Sequence, residues 1–187
     1  MLSQPSRSSS PPTLILDACV ALNLAATGIP TDILATLRSQ FAMARQAAEE
    51  TLYIETITAG KATQELVDLR EWVAEGVLQV FDLAPAETRQ FVTLATEIDD
   101  GEAATLAIAQ IRGLEVATDD RKARRVAQRL NLPEPIRTSR LLHDYCSATN
   151  LPSSEIANVL QAIEQRARFR PPTSDPLHPW WREALNE

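Results

Sequence analysis

Residues 114–130, "LEVATDDRKARRVAQRL", place a short apolar run, a pair of acids and a basic stretch directly after one another. The run 114–119 has the length and character of a buried parallel strand, and 120–130 is typical of a helix. A strand followed at once by a helix is the unit from which a parallel sheet is built. Asp119 and Asp120 lie at the junction, where adjacent like charges are unfavourable unless something compensates them.

The same unit recurs along the chain. The run "TLILD", 13–17, is a second apolar stretch that ends in an acid, and the apolar segment after it predicts a helix ending near Gly28. We predict further strands at 40–44, 77–83 and 135–139, and further helices at 45–57, 63–76, 85–98 and 99–113, with two more joined around Pro152. Strands separated by helices predict an α/β fold with a parallel central sheet flanked by helices.

Composition divides the chain of 187 residues into one domain with appendages. The Ser/Pro-rich start, 1–12, is expected to be a disordered tail, and 13–140 to be the α/β domain. Residues 141–170 are predicted to be C-terminal helices packed on it. The end, 171–187, contains "PWW" and is expected to be an exposed extension that contacts a partner.

Charge and cysteine content exclude some classes of protein. A formal charge of −7 argues against a generally basic nucleic-acid binder, although a local basic patch or an acidic cation site stays open. Two cysteines, Cys19 and Cys146, are too few for a disulfide framework, so we expect a cytoplasmic protein. No run approaches the roughly 18 apolar residues of a membrane helix, so we expect no membrane partner.

Acids fall where the predicted strands end. In a parallel sheet the carboxyl ends of the strands share one edge, and Asp17 and Asp119 or Asp120 follow two of them. Glu102, in the first turn of its helix, and Glu49 or Glu50, in the helix predicted at 45–57, are expected on the same edge. Carboxylates in that number suit Mg²⁺ or Mn²⁺ rather than zinc, and such a cation would compensate the acids.

Each acid alone also has a simpler interpretation. Asp99, Asp100 and one of the pair Asp119 and Asp120 fit helix N-caps. Glu102 in a first turn favours the helix dipole by under about 1 kcal/mol. The glutamates predicted to lie in a helix at 45–57 fit an exposed polar face. Their order along the chain is therefore the stronger signal.

That order resembles the PIN-domain family of metal-dependent ribonucleases, which includes the VapC toxins of toxin–antitoxin pairs. The matching pieces are "LILDACVALNLAATG", "AAEETL", "DDGEAATLAIA" and "VATDDRKARRVA". The resemblance covers roughly 13–140 and is closest to the branch with "GE" and "DD…AR" motifs.

The resemblance implies roles for particular residues. Asp17, Glu102 and Asp119 correspond to metal ligands, with Asp120 a close second to Asp119 for the same position, and Glu50 fits the second acidic position better than Glu49. Ala47 departs from the family, which usually has a β-branched residue there. Thr118 resembles a polar position that supports the site. Asn23 fits either a residue that supports the metal ligands or the polar face of the first helix, and we expect the latter.

The implied activity is metal-dependent hydrolysis of RNA phosphodiester bonds with Mg²⁺ or Mn²⁺. A toxin of this family would have an antitoxin protein as partner and would form a homodimer, for which the apolar stretches of 140–163 are the expected interface. Arg121, Lys122 and Arg124 are the predicted substrate contacts. The alternative is that these basic residues form a solvated helix face.

Two other classes stay open. The chain can be a catalytically weak PIN-fold protein that acts as a binding or regulatory module. It can also be a phosphate-handling α/β protein of the receiver or haloacid-phosphatase type, but the segment "PIRTS" offers no lysine for the former and "DACV" lacks the DxD motif of the latter.

Overall fold

The computed structural model describes residues 12–37, 39–50, 53–58 and 61–186, so the predicted tail lies almost wholly outside the described residues. The strands are β1 (Thr13–Leu16), β2 (Gln40–Ala44), β3 (Tyr53–Thr58), β4 (Lys61–Leu66), β5 (Gln79–Phe81) and β6 (Glu115–Ala117). The helices are α1 (Ala18–Ala26), α2 (Pro30–Thr36), α3 (Arg45–Ala48), α4 (Leu69–Ala74), α5 (Pro85–Leu94), α6 (Asp100–Arg112), α7 (Arg121–Arg129), α8 (Thr138–Thr149), α9 (Ser153–Arg166) and α10 (His178–Ala184).

A four-stranded parallel sheet, in the order β5-β2-β1-β6, forms the centre of the molecule. The first strand is central because Ile15 pairs with Ala42 on one side and Val116 on the other. The side chain of Ile15 is fully buried, which explains why β1 is apolar on both faces. The predicted α/β fold with a parallel sheet flanked by helices is confirmed.

Helix ends follow local chemistry. The Asp68 side chain accepts a hydrogen bond from Arg70 N, and so caps α4. Pro85 lies at the start of α5, as predicted, and Gly113 ends α6 with a left-handed φ of 67°. Among the described residues no single helix is long and apolar enough to cross a membrane, and α1 and α2 meet such a test only as a pair bent by 111°.

The region after β2 differs from the prediction. The helix expected at 45–57 ends at Ala48, and β3 follows it. The helix expected at 63–76 begins only at Leu69, because the residues before it form β4, which pairs with β3 as an antiparallel hairpin. Ile54 of this hairpin is buried, and β3 contacts both α1 and α9.

The C-terminal helices complete the core of the same chain. Helices α8 and α9 lie on either side of Pro152, as predicted, and bury Leu142 and Leu160 fully. The strand expected at 135–139 is reduced to one bridge, between Ala117 and Ile136, because α8 begins at Thr138.

The expectation of an exposed "PWW" end is wrong for Trp181. Its side chain is fully buried, and its Nε1 donates a hydrogen bond to Glu164 Oε1 at 2.7 Å. Trp180 is half-buried and packs edge-on against His143, with ring centroids 5.0 Å apart. The extension is therefore part of the packed molecule.

Candidate active site

Asp17 is the centre of the acidic edge. It follows β1 and caps α1, where its Oδ1 accepts a hydrogen bond from Ala18 N at 2.8 Å. Its Oδ2 accepts from the hydroxyl of Thr118 at 2.7 Å and from the thiol of Cys19 at 3.3 Å. Burial raises the pKa of Asp17, and these hydrogen bonds partly oppose that rise. The hydrogen bonds hold the carboxyl group in a fixed position, although burial disfavours its ionised form.

The acids of the Asp119–Asp120 pair point to different partners. Asp119 Oδ2 accepts hydrogen bonds from Asn23 Nδ2 at 3.0 Å and the Thr138 hydroxyl at 2.5 Å, and its Oδ1 accepts from Thr138 N at 3.2 Å. Asp120 Oδ1 caps α7 by accepting from Lys122 N at 2.6 Å and Ala123 N at 2.8 Å. Its Oδ2 accepts no hydrogen bond from the described part of the chain.

Glu102 lies in the first turn of α6 and is close enough to the other acids to be affected by them. Its pKa is raised to about 7, first by burial and then by the charges of Asp120, Asp17 and Asp99. The three charges that disfavour its ionisation come from three different segments. Glu102 therefore joins Asp17 and Asp120 in one electrostatic cluster.

Glu50 joins this cluster from α3's side of the molecule. Burial raises its pKa first, and the charges of Asp17, Asp99 and Asp100 raise it further. Neighbouring Glu49, the C-cap of α3, is exposed, and its Oε1 lies 3.8 Å from Arg45 Nη1. Both glutamates follow α3 instead of opening a longer helix, but Glu50 is the one that lies with the other acids.

Gly101 makes the approach of Glu50 possible. A Cβ atom on Gly101 would lie 1.8 Å from Glu50 Oε1 and 3.1 Å from the Cα of Ala47. Glycine at this position leaves room for the Glu50 carboxylate, and a Cβ there would displace that carboxylate and press on the backbone of Ala47.

The donor set fits a hard divalent cation by chemistry, since it consists of carboxylate oxygens from four segments. The charged neighbours that raise the pKa values of Asp17, Glu50 and Glu102 are all acidic. As the side chains stand, no group of three or more His, Cys, Asp or Glu within the described ranges is close enough together to hold a metal ion. The acids influence one another's charge, but their side chains would have to move before three of them could hold one ion.

Comparison with known proteins identifies the family. The DUF3368 family, described as a PIN domain, matches residues 13–174. The chain belongs to the PIN-domain family. PIN domains are generally nucleases and typically use divalent metals. No curated protein and no solved structure matches the chain.

The basic residues of this PIN domain do not all face solvent. Arg121 and Lys122 are exposed in the first turn of α7 and stay candidates for substrate contact. Arg124 is different, because it donates to the carbonyl oxygens of Thr118 and Pro135 and pairs with Glu134. Its guanidinium joins β6 to the segment that follows α7, so its predicted role as a substrate contact is replaced by a structural one.

Of the two residues that bind Asp119, the sequence offers one only as the less favoured alternative and does not indicate the other. Asn23, expected on a polar helix face, is buried and donates to both Asp119 and Thr138. Thr138 falls in a segment for which the sequence predicts only a short strand. The feature of the sequence that points to the role of Asn23 is its position within an apolar helix, since a buried amide requires a hydrogen-bonding partner.

Proposed function

We propose that this PIN domain is an endoribonuclease that hydrolyses RNA phosphodiester bonds with Mg²⁺ or Mn²⁺ bound by its acid cluster. The observation that carries the proposal is the acidic surroundings of Asp17, Glu50 and Glu102. Besides burial, the charge of Asp120 raises the pKa values of Asp17 and Glu102, and the charges of Asp17 and Asp99 raise those of Glu50 and Glu102. A site of this charge is suited to a divalent cation, which would remove the repulsion.

The acids divide the work in this proposal. Asp17, Glu102 and Asp120 hold the cation. Asp119 is a positioning residue, because it accepts hydrogen bonds from Asn23 and Thr138 and its charge is not among those that raise the pKa values of Asp17, Glu50 and Glu102. The bound cation would lower the pKa of a water molecule and stabilise charge on the phosphate.

Glu50 is the acceptor for the proton of the attacking water. Burial and then the charges of Asp17, Asp99 and Asp100 raise the pKa of its carboxyl, which makes it a stronger base than an ordinary glutamate. Thr118 holds Asp17 through its hydroxyl, and Cys19 donates to the same oxygen. These contacts fix the orientation of the carboxylate that the site depends on most.

Cleavage of a mixed cellular RNA pool tests the proposal. Wild-type protein with Mn²⁺ is expected to cut RNA, and EDTA or Asp17→Asn is expected to abolish the cuts. Asp32→Asn is the matched control, because Asp32 is exposed in α2 and loses the same charge. Cuts that persist in Asp17→Asn would contradict the assignment.

The second candidate function is a binding or regulatory PIN-fold module with little or no catalysis. It is favoured by the finding that no group of three potential ligands in the described ranges lies at metal-binding distance. Thermal melting with and without Mn²⁺ separates the two functions. If the protein is the nuclease, Mn²⁺ is expected to raise the melting temperature of the wild type but not that of Asp17→Asn.

Partners follow from the family resemblance. We propose a toxin that is inhibited by an antitoxin protein, and a homodimer in the cytoplasm, where the free thiols of Cys19 and Cys146 would stay reduced. The apolar side chains of α8 and α9 are used within the chain, as the burial of Leu142 and Leu160 indicates. A dimer interface would therefore use another surface, and light scattering of the purified protein measures whether a dimer exists.

A further inference from the structure

A cleft of 430 Å³ lies beside the segment that binds Asp119. Its walls are Arg124 of α7, residues of the segment 134–140 and the turn 174–177. The cleft is next to the catalytic edge because Thr138, which bonds Asp119, follows directly after Arg137 in its wall. The positive charge of Arg137 also lowers the pKa of Asp119, which indicates that the two side chains are close.

Arginines line this cleft, and two of them have N–H groups to spare. Arg137 is 22% exposed, its Nη1 lies 3.5 Å from Asp175 Oδ2, and its guanidinium donates no hydrogen bond to the residues that the structure describes. Arg140 uses its Nε to bind Asp144, and its terminal nitrogens have no hydrogen-bond partner in the same ranges. Arg137, at 22% exposed, is a largely buried guanidinium without a hydrogen-bond acceptor in the described ranges, which points to an external one, and Arg140 is exposed on the rim beside it.

The acids of the cleft are already engaged. Asp175 is buried, with one oxygen accepting from the Ser139 hydroxyl at 2.9 Å and the other from Leu177 N at 2.8 Å. Glu134 pairs with Arg124, whose guanidinium is also bound by backbone carbonyls. Arg137 and Arg140 are themselves ion-paired, with Asp175 and Asp144, so each offers a ligand its N–H groups that have no acceptor in the described ranges rather than an unpaired charge.

We propose that this cleft binds a phosphate of the RNA strand adjacent to the one that is cut. Arg137 donates to the phosphate oxygens from the cleft wall, and Arg140 donates from the rim. Guanidinium groups suit phosphate because their paired N–H groups match two oxygens. The inference rests on the proposed function, and it adds the path of the substrate strand, from the acid cluster across α8's first turn toward the turn 174–177.

Binding of a fluorescent single-stranded RNA to Asp17→Asn protein tests the proposal. This background separates binding from cleavage, and Mg²⁺ is present throughout. Arg137→Gln is expected to weaken binding about tenfold, as the loss of a charged hydrogen bond does, and Arg140→Gln about threefold. The slope of log affinity against log salt is expected to fall by about 0.7 for each arginine–phosphate pair that a substitution removes.

Matched controls keep the result interpretable. Arg70→Gln removes the same charge from a side chain in α4 that is 91% exposed and bound to Asp68, and it is expected to change RNA affinity less than twofold. Arg137→Lys keeps the charge and is expected to restore the salt slope. Melting temperatures verify that each variant is folded, and Arg140→Gln replaces a side chain that is itself largely exposed.

The outcomes of the two tests are distinct. Affinities and salt slopes of Arg137→Gln and Arg140→Gln that equal those of Arg70→Gln would overturn the phosphate cleft, even if wild-type protein cuts RNA. A protein that binds RNA through Arg137 but never cuts it would instead overturn the nuclease and leave the cleft in place.

Discussion

At the carboxyl end of β6, three donor groups surround the Asp119 carboxylate, whereas Asp120 has one oxygen that accepts from no donor in the described ranges. Burial raises the pKa of Asp119, while the hydrogen bonds from Thr138 and Asn23 favour its charged form. The charge of Asp119 is thus satisfied inside the protein. Asp120 has the free oxygen and the electrostatic contact with Glu102 that a ligand to a shared cation needs.

The two aspartates are therefore expected to respond differently to the same substitution. Asp119→Asn places an amide where three donors converge, and we expect it to lower the free energy of unfolding by about 1–3 kcal/mol. Asp120→Asn keeps an N-cap oxygen for α7 and is expected to cost less than about 0.5 kcal/mol, but to lose the stabilisation by Mn²⁺. Urea unfolding with Mn²⁺ and with EDTA measures both effects, and equal losses in the two variants would contradict the assignment.

Glu102 gives the molecule a pH dependence of defined sign. Its pKa rises from an ordinary 4.5 to about 7 on folding. Between these values the folded protein keeps a proton that the unfolded chain has lost, so this group's contribution to stability is complete below about 4.5 and is lost as pH rises through about 7.

Without divalent cations, stability is expected to fall less between pH 5 and pH 8 in Glu102→Gln than in the wild type, because glutamine does not ionise. Urea unfolding at several pH values in EDTA measures the difference. Glu115→Gln, an exposed change in β6, is the charge control. An identical pH dependence in wild type and Glu102→Gln would show that the carboxyl is not desolvated by its neighbours.

At the scale of elements, the close contact of α3 with α6 depends on the absence of a side chain at Gly101. Gly101→Ala in a helix should by itself add up to about 1 kcal/mol of stability through helix propensity. Here we expect a net loss of about 1–3 kcal/mol, because the new Cβ overlaps Glu50 and approaches the Cα of Ala47. Thermal or urea unfolding measures the sign.

A double variant separates the two clashes. Adding Glu50→Ala to Gly101→Ala removes the carboxylate that lies 1.8 Å from the new Cβ but leaves the backbone contact at 3.1 Å. Partial recovery of stability is therefore expected, with RNA cleavage still abolished. A stabilised Gly101→Ala single variant would mean that Glu50 does not lie across this helix end.

The elements differ in how far local sequence determines them. Helices α5, α6 and α7 are predictable because Pro85, Gly113 and the aspartates supply start and stop signals. The β3–β4 hairpin is not, since the glutamates after residue 48 favour a helix and the alternation of "YIETIT" is short. Its stabilising partners, α1 and α9, lie far away along the chain, where a local pattern cannot show them.

The candidate site shows the same division at the scale of the whole molecule. The order of the acids is sufficient to select Asp17, Glu102 and the Asp119–Asp120 pair, because strand ends meet at one edge. The different roles proposed for the two adjacent aspartates, Asp119 as a positioning residue and Asp120 as a cation ligand, are not predictable from the sequence. They depend on Asn23 and on Thr138, which only the folded chain brings to β6.

The C-terminal extension is expected to stabilise the entire domain. Trp181 is fully buried and packs edge-on against Phe169, with ring centroids 5.8 Å apart. We expect Trp181→Ala to lower the free energy of unfolding by about 3–5 kcal/mol and half-buried Trp180→Ala to lower it by less. Urea unfolding of both variants tests this, and equal effects would mean that α10 does not contribute to the core.

The central position of β1 has a consequence for the timing of synthesis. Strand β1 is synthesised before its neighbours β2 and β6, so it cannot pair with either until they have been made. Asp17 likewise meets Glu102 and Asp120 only after those two residues have left the ribosome. A nascent chain would thus carry its first acid without its neighbours for most of translation. The proposed cation site would therefore form late in synthesis, once Asp120 is available to join Asp17 and Glu102.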